Sequence, residues 1–320
     1  MTDPAVTARM RVAPKRRLLE ALAEELCPGG SIIGVRRLKG GISCGMHALK
    51  VQDGRGDISD FVLRRYNDSR DSDSGVCDRE WSALSALATT AVTAPRPILK
   101  DPSGKRFGYP AIVTSLLPGK GGISPRDLDG WLRQLAVALA SIHTVSADDH
   151  DLSLLESQAD EIDRQLTGGR PAPVGGVGFL LADLMSALKR HMPANLGERR
   201  MLLHGDFWPG NTLWSRGRFT GVVDWEQAKV GDLGEDVGYC RNDIAMVFGL
   251  PEADDFLRYY EAVAEPVADL VFWDLLACTR PLPDPAEWLP GYHELGRLDL
   301  TPELMRQRFG VFARHALSRS

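Results

Sequence analysis

Asp206, Asn211 and Asp224 stand in an order and spacing that suit phosphoryl transfer. They lie in Leu203-His204-Gly205-Asp206-Phe207-Trp208-Pro209-Gly210-Asn211-Thr212-Leu213 and in Val222-Val223-Asp224-Trp225. Transfer from ATP needs a carboxylate that orients the accepting hydroxyl, and oxygen ligands for the magnesium ions on the phosphates. An H-x-D-x-x-x-x-N loop supplies the carboxylate and one ligand, and a later aspartate supplies the other. In that order Asp206 is the candidate base, Asn211 and Asp224 are the candidate metal ligands, and ATP and Mg2+ are the implied cofactors.

The surrounding sequence predicts elements that could hold these groups. Met201-Leu202-Leu203 is a short apolar run entering the loop. Ser215-Arg216-Gly217-Arg218 reads as a hairpin turn, and residues 219–223 form a β-rich run that delivers Asp224 at its end. A strand pair of this kind would set Asn211 and Asp224 side by side, as shared metal ligation requires. Read blandly, the same residues are a solvated Asp-Gly turn with two incidental acids, but several signals agree here in one order.

The form His-Gly-Asp-Phe-x-Pro-Gly-Asn followed by Val-Asp-Trp-Glu resembles the aminoglycoside phosphotransferase family of small-molecule kinases. His-Gly-Asp stands where protein kinases have His-Arg-Asp, and Asp-Trp-Glu where they have Asp-Phe-Gly. The resemblance runs over about residues 32–319. It implies an α+β, protein-kinase-like, two-lobed fold: a small β-rich nucleotide lobe over residues 1–118 and a larger, mostly helical catalytic and acceptor lobe over 119–320.

The flanking segments are weaker signals. Residues 35–39 and 46–51 read as strands around the glycine-bearing turn Gly40-Gly41-Ile42-Ser43-Cys44-Gly45. Such a turn lets backbone N–H groups approach phosphates, so Gly41 and Ser43 are candidate nucleotide contacts. The turn departs from the G-x-G-x-x-G of protein kinases. Phe61-Val62-Leu63-Arg64-Arg65-Tyr66 reads as the next strand, with Val62, Arg64 and Tyr66 on one face. Alignment with the V-A-I-K pattern makes Arg64 the phosphate contact, an Arg where protein kinases have Lys. The alternative is a solvated Arg pair on an edge strand. Arg79-Glu80-Trp81 opens a helix with Trp81, Leu84, Leu87 and Ala88 on one stripe. Glu80 is either the brace for Arg64 or an acid favoured in a first helical turn. By the resemblance, residues 111–117 are an edge strand and hinge whose backbone, near Ser115 and Leu117, would read adenine.

Composition narrows the class. With 43% hydrophobic and 25% charged residues the chain is an ordinary globular one, and no run approaches a membrane span. Basic residues near the start, such as Arg9 and Arg11, precede no apolar run, so no signal peptide is read. Five cysteines without paired spacing favour a reducing, cytoplasmic setting and argue against structural zinc. Residues 1–120 carry a net +6, residues 121–223 a net −2 and residues 224–320 a net −9. A basic nucleotide lobe suits ATP, and overall acidity argues against a nucleic-acid partner. The acidic C-terminal region suits a cationic acceptor or is a solvated helical surface. On the first view Asp274, in Phe272-Trp273-Asp274, and Glu226 are candidate acceptor contacts. Glu226 is equally readable as structural.

The remaining segments are structural in this reading. Residues 18–26 suggest an amphipathic helix on the small lobe. Residues 95–108 read as a turn-rich connection. Residues 128–143 are helical, with Trp131, Leu135, Leu139 and Ile142 inward, and His143 packed or capping. Residues 167–178 read as a linker or lid, residues 179–191 as a helix, and the chain beyond Asp224 as helical with proline breaks. Asp236 would brace the catalytic loop and His204 would shape it. Taken together, the sequence predicts transfer of the ATP γ-phosphoryl group to a hydroxyl of a small molecule: an aminoglycoside or other antibiotic, an amino alcohol or a sugar. A nucleotide-binding module without turnover is the alternative. A metal-dependent phosphohydrolase would need more clustered ligands.

Overall fold

The computed structural model describes residues 9–38, 44–67, 75–167, 179–282 and 284–320. Gly41, Ser43 and the segment 168–178 lie outside these. The chain divides into two compact units, residues 1–89 with 94–117, and residues 90–93 with 118–320.

The first unit is a five-stranded sheet with helices. Helix α1 (Arg16–Leu26) precedes β1 (Ser31–Arg37), β2 (Cys44–Gln52) and β3 (Ile58–Tyr66), then α2 (Val76–Leu87), β4 (Pro97–Asp101) and β5 (Ala111–Ser115). The order is β1-β2-β3-β5-β4 and every pairing is antiparallel. Leu19, Leu22 and Ala23 of α1 form a core with Ile32, Leu49, Val51, Leu63, Phe107, Ala111 and Val113. The helix at residues 18–26 is thus present, and its inward stripe closes one face of the sheet.

Three strand expectations need correction. Strand β5 is not an edge, because β4 pairs outside it. Strand β4 falls within the stretch read as a turn-rich connection. Pro97 masked it; proline lacks an N–H, but at the first residue of an edge strand none is needed. Nor is β3 an edge strand, since it lies between β2 and β5. A solvated Arg pair there is excluded: Arg64 is 6% and Arg65 4% exposed.

The second unit is mostly helical. In chain order it holds α3 (Leu128–Ile142), β6 (Glu156–Ser157), α4 (Gln158–Thr167), α5 (Phe179–Arg190), β7 (Met201–Leu203), β8 (Thr212–Ser215), β9 (Arg218–Val222) and β10 (Lys229–Gly231). Then follow α6 (Gly234–Val247), α7 (Leu250–Glu261), α8 (Leu270–Ala277), α9 (Leu289–Glu294) and α10 (Pro302–Ser318). Helix α6 is the hub. Apart from Glu235 all its residues are buried, so it shows almost no amphipathic pattern. Gly234 and Gly238 let it approach α8: a Cβ at either would fall 2.1 Å and 2.7 Å from Trp273 atoms. Trp131, Leu135, Leu139 and Ile142 of α3 are buried as their spacing predicts. Pro251 does not break a helix; it sits in the first turn of α7, where its missing N–H has no partner to lose. Among the described residues no helix is long and apolar enough to cross a membrane.

Candidate active site

Two small sheets frame the loop that carries Asp206. In one, β7 pairs antiparallel with β10, Leu203 opposite Lys229. In the other, β8 pairs with β9, Thr212 opposite Val222. The hairpin turn holds Arg216 at φ 52° and Gly217 at φ 76°, the left-handed pair that a two-residue turn requires. Residues 204–211 leave β7 and enter β8, while residues 223–228 leave β9 and enter β10. The Val223 N–H donates to the Asn211 carbonyl at 2.9 Å, so the predicted juxtaposition of Asn211 with Asp224 follows from strand pairing. Asp224 sits at φ 72°, ψ 59°, a left-handed conformation that is uncommon for a non-glycine residue.

His204 ties the two segments together. Its Nε2 donates to the Val223 carbonyl at 3.0 Å, and its Nδ1 accepts from the Asp206 N–H at 3.3 Å. Those partners fix the tautomer, because an Nδ1 that accepts carries no proton. The ring lies 4.5 Å from that of Trp225 and is fully buried. Asp236, at the start of α6, accepts from the His204 N–H at 2.7 Å and the Gly205 N–H at 2.9 Å. It also faces His143 Nε2 at 3.4 Å, while His143 Nδ1 meets the Tyr260 hydroxyl at 2.8 Å. His143, Asp236 and His204 therefore shape the loop.

Asp206 is the loop's half-buried carboxylate. Asn211 Nδ2 donates to the Asp206 carbonyl at 2.9 Å and to Oδ2 at 3.1 Å. With the amide nitrogen committed in this way, Asn211 Oδ1 is the atom left for an ion. Burial pushes the Asp206 carboxyl up from its ordinary value and nearby Asp224 adds to the push, while Arg280 opposes both.

The sequence reading missed four residues around this carboxylate: Tyr239, Asp243, Arg280 and Tyr292. Arg280 Nη2 stands 3.7 Å from Asp206 Oδ1, and its guanidinium lies 3.7 Å from the Tyr239 ring centre. Tyr292 donates to Asp243 and sets its ring edge-on to Trp208 at 5.6 Å. No local motif announces these residues, because helices α6 and α9 and the end of α8 bring them in from distant sequence.

Asp243 gives the fold a pH dependence. It is 1% exposed, and burial pushes its carboxyl up to about 7 against the Tyr292 hydrogen bond that holds it down. A raised folded value means that its contribution to stability is fully present below the ordinary aspartate range and is lost as pH rises through about 7. The Tm advantage of the wild type over Asp243→Asn should therefore shrink from about pH 5 to about pH 8. A constant difference across that range would remove the assignment.

In the first unit, alternation along β3 separates its two arginines. Arg64 Nε lies 3.3 Å from Glu80 Oε2, and Tyr66 donates to the same oxygen at 2.6 Å. Arg65 turns to the opposite face, where Nη2 donates to the Met10 carbonyl at 2.5 Å and also to that of Val12. Glu80 is 2% exposed and lies on the buried stripe of α2 with Cys77, Ala83, Leu84 and Leu87. Trp81, expected on that stripe, is only partly buried, and Ala88 is exposed beyond the helix end. The helix begins at Val76, three residues before the predicted start, and so adds Cys77 to the stripe that carries Glu80. Ser115 and Leu117 close β5 and the segment after it. The Ser115 N–H donates to the Arg96 carbonyl and the Leu116 N–H to that of Asp60. Among the described residues the Leu117 amide is the one of the three with no sheet carbonyl.

One site expectation is overturned. Asp274 is fully buried in α8, and Arg241 Nε and Nη2 donate to its two oxygens at 3.0 and 3.2 Å. An acid next to aromatic residues marks the inside of the unit here, where a charge needs a built-in partner. Asp274 cannot meet an acceptor. Glu226 lies in the short turn Trp225–Gln227 and is half-buried, two residues from Asp224.

Comparison with known proteins fits this geometry. A 26% identical stretch of 172 residues, 50% of this chain, matches a homoserine kinase of Methylocella silvestris and spans about half, 51%, of that enzyme. Macrolide 2'-phosphotransferase MphH from Brachybacterium faecium superposes with a TM-score of 0.59 at 18% identity, over 92% of this chain and 97% of its own. A thermostable mutant of aminoglycoside phosphotransferase APH(4)-Ia, solved with ADP and hygromycin B, gives 0.60 at 18% identity, over 92% and 98%. These likenesses establish the α+β, protein-kinase-like fold. The profile of the phosphotransferase enzyme family matches residues 41–271, well over half of the sequence, and the chain belongs to that family.

Proposed function

We propose that this protein transfers the γ-phosphoryl group of ATP to a hydroxyl of a small molecule. The observation that carries the reading is the half-buried Asp206 carboxylate, fixed by Asn211 beside a strand pair that delivers Asp224. Asp206 would orient the accepting hydroxyl and take its proton. Asn211 Oδ1 and the Asp224 carboxylate are hard oxygen donors set side by side, the donor chemistry that magnesium takes. Magnesium bound there would neutralise charge on the phosphates. Residues 1–118 would serve as the nucleotide unit, with Arg64 on the phosphates, Glu80 and Tyr66 bracing it, and the Leu117 amide on adenine. Residues 119–320 would serve as the catalytic and acceptor unit. The ADP in the APH(4)-Ia complex supports ATP as donor. The homoserine kinase likeness adds hydroxy amino acids to the acceptors worth testing, beside aminoglycosides, macrolides, amino alcohols and sugars.

The test is magnesium-dependent ADP release over a panel of those acceptors. At least one should stimulate release well above the rate with water. A protein that binds MgATP but responds to no acceptor would instead be a nucleotide-binding module without turnover.

A further inference from the structure

We propose that Arg280 is a positioning residue of the catalytic loop, holding the Gly205 carbonyl and so fixing the direction of Asp206. This rests on the phosphotransferase reading above. The peptide groups of Gly205 are gripped on both sides. Its N–H donates to Asp236 Oδ1 at 2.9 Å, and its carbonyl accepts from Arg280 Nη1 at 2.9 Å. Gly205 has φ +76°, and a Cβ there would fall 2.1 Å from the Gln227 carbonyl oxygen. A glycine in that conformation has little rotational preference of its own. Contacts from outside must therefore choose the orientation of the peptide that leads into Asp206, and Arg280 supplies the one on the carbonyl side.

Arg280 is itself held in place. Its guanidinium lies flat enough on Tyr239 to stand 3.7 Å from the ring centre. At 3.7 Å, Nη2 is too far from Asp206 Oδ1 for a hydrogen bond, so the carboxylate stays open to an acceptor hydroxyl. A planar fork can stack and donate in one direction while presenting charge in another; an ammonium cannot do all three.

The experiment measures ADP release from MgATP with water as acceptor, together with equilibrium MgATP binding and Tm. Arg280→Met should lower turnover by about 10²-fold, the scale of a 1 Å misplacement, with MgATP affinity kept. Arg280→Lys should recover only part of it. Added guanidinium at millimolar concentration should raise turnover of Arg280→Ala and leave Arg280→Lys and the wild type unchanged. Wild-type turnover in Arg280→Met, with Asp206→Asn inactive, would overturn the proposal and leave the kinase reading intact. So would a loss in Arg280→Ala that guanidinium does not restore while Tm is unchanged. Full turnover in Asp206→Asn would overturn the kinase reading itself, on which this role for Arg280 depends.

Discussion

Asp206→Asn is expected to lower acceptor phosphorylation by about 10²- to 10⁴-fold, the range lost with a general base. The substitution keeps size and shape. The Asn211 contact to the residue 206 carbonyl does not involve the side chain, and neither do the Asp236 bonds to the preceding amides. The loop should therefore stay folded, and the MgATP affinity and Tm should stay close to those of the wild type. The loss should appear in kcat for the best acceptor in the panel, because the carboxylate acts on the hydroxyl proton as the bond forms. Near-normal turnover would take Asp206 out of the chemistry. A collapse in Tm would make it a structural acid of the loop.

The largest stability effect should come from the middle of α6, at Arg241. Arg241 and Asp274 are both fully buried and face each other through two hydrogen bonds, and Arg241 also donates to the Ala253 carbonyl at 2.9 Å. Arg241→Met should destabilise the protein by about 3–5 kcal/mol, because it strips a fully buried carboxylate of both hydrogen bonds and leaves only Arg319 Nη1 at 3.8 Å. Burial already pushes the Asp274 carboxyl up against the pull of Arg241, so the orphaned acid would take up a proton. Removing both charges should hurt less. In Arg241→Met/Asp274→Leu the uncompensated ion is gone, and apolar replacement of buried pairs is often close to neutral. Denaturant unfolding of the two variants checks this. A double variant no more stable than the single one would mean that the pair acts through shape, with charge secondary. An Asp274 variant that raised KM for an acceptor at unchanged stability would restore the role in recognition that the structure denies it.

What the sequence revealed depended on whether the signal was local. Asp206, Asn211 and Asp224 were legible because one loop and one hairpin carry all three, and hairpin pairing is readable from turn chemistry. The Arg64–Glu80 pair was legible in outline from the resemblance to the kinase pattern, while period-2 alternation placed Arg64 and Arg65 on opposite faces. Reading the helix only from Arg79 left out Cys77, so the buried stripe was centred on Trp81 and not on Glu80. Arg280, Tyr239, Asp243 and Tyr292 were invisible because tertiary packing alone gathers them. Asp274 failed for a physical reason. Its aromatic neighbours were read as a binding surface, yet a helix that is apolar nearly all round is an interior one. Net charge misled in the same way, because counting acids says nothing about which already have a cation.

Strand β3 places two identical side chains in succession with different assignments, Arg64 to Glu80 and Arg65 to the carbonyls of Met10 and Val12. A slip of one residue would still bring an arginine to one of the two sites, Arg65 to the Glu80 side or Arg64 to the carbonyls, while the other site would receive Tyr66 or Leu63. Charge pairing is therefore partly degenerate with respect to this error. Discrimination must come from residues with no double: Leu63, fully buried in the core on the Arg65 face, and Tyr66, whose hydroxyl needs Glu80. The turn before the strand is the second safeguard, with Asp53 accepting from the N–H groups of Arg55 at 2.8 Å and Asp57 at 2.9 Å. A deletion in that turn would still leave one arginine site filled by an arginine while misfiling the strand, turning Leu63 from the core and Tyr66 from its carboxylate.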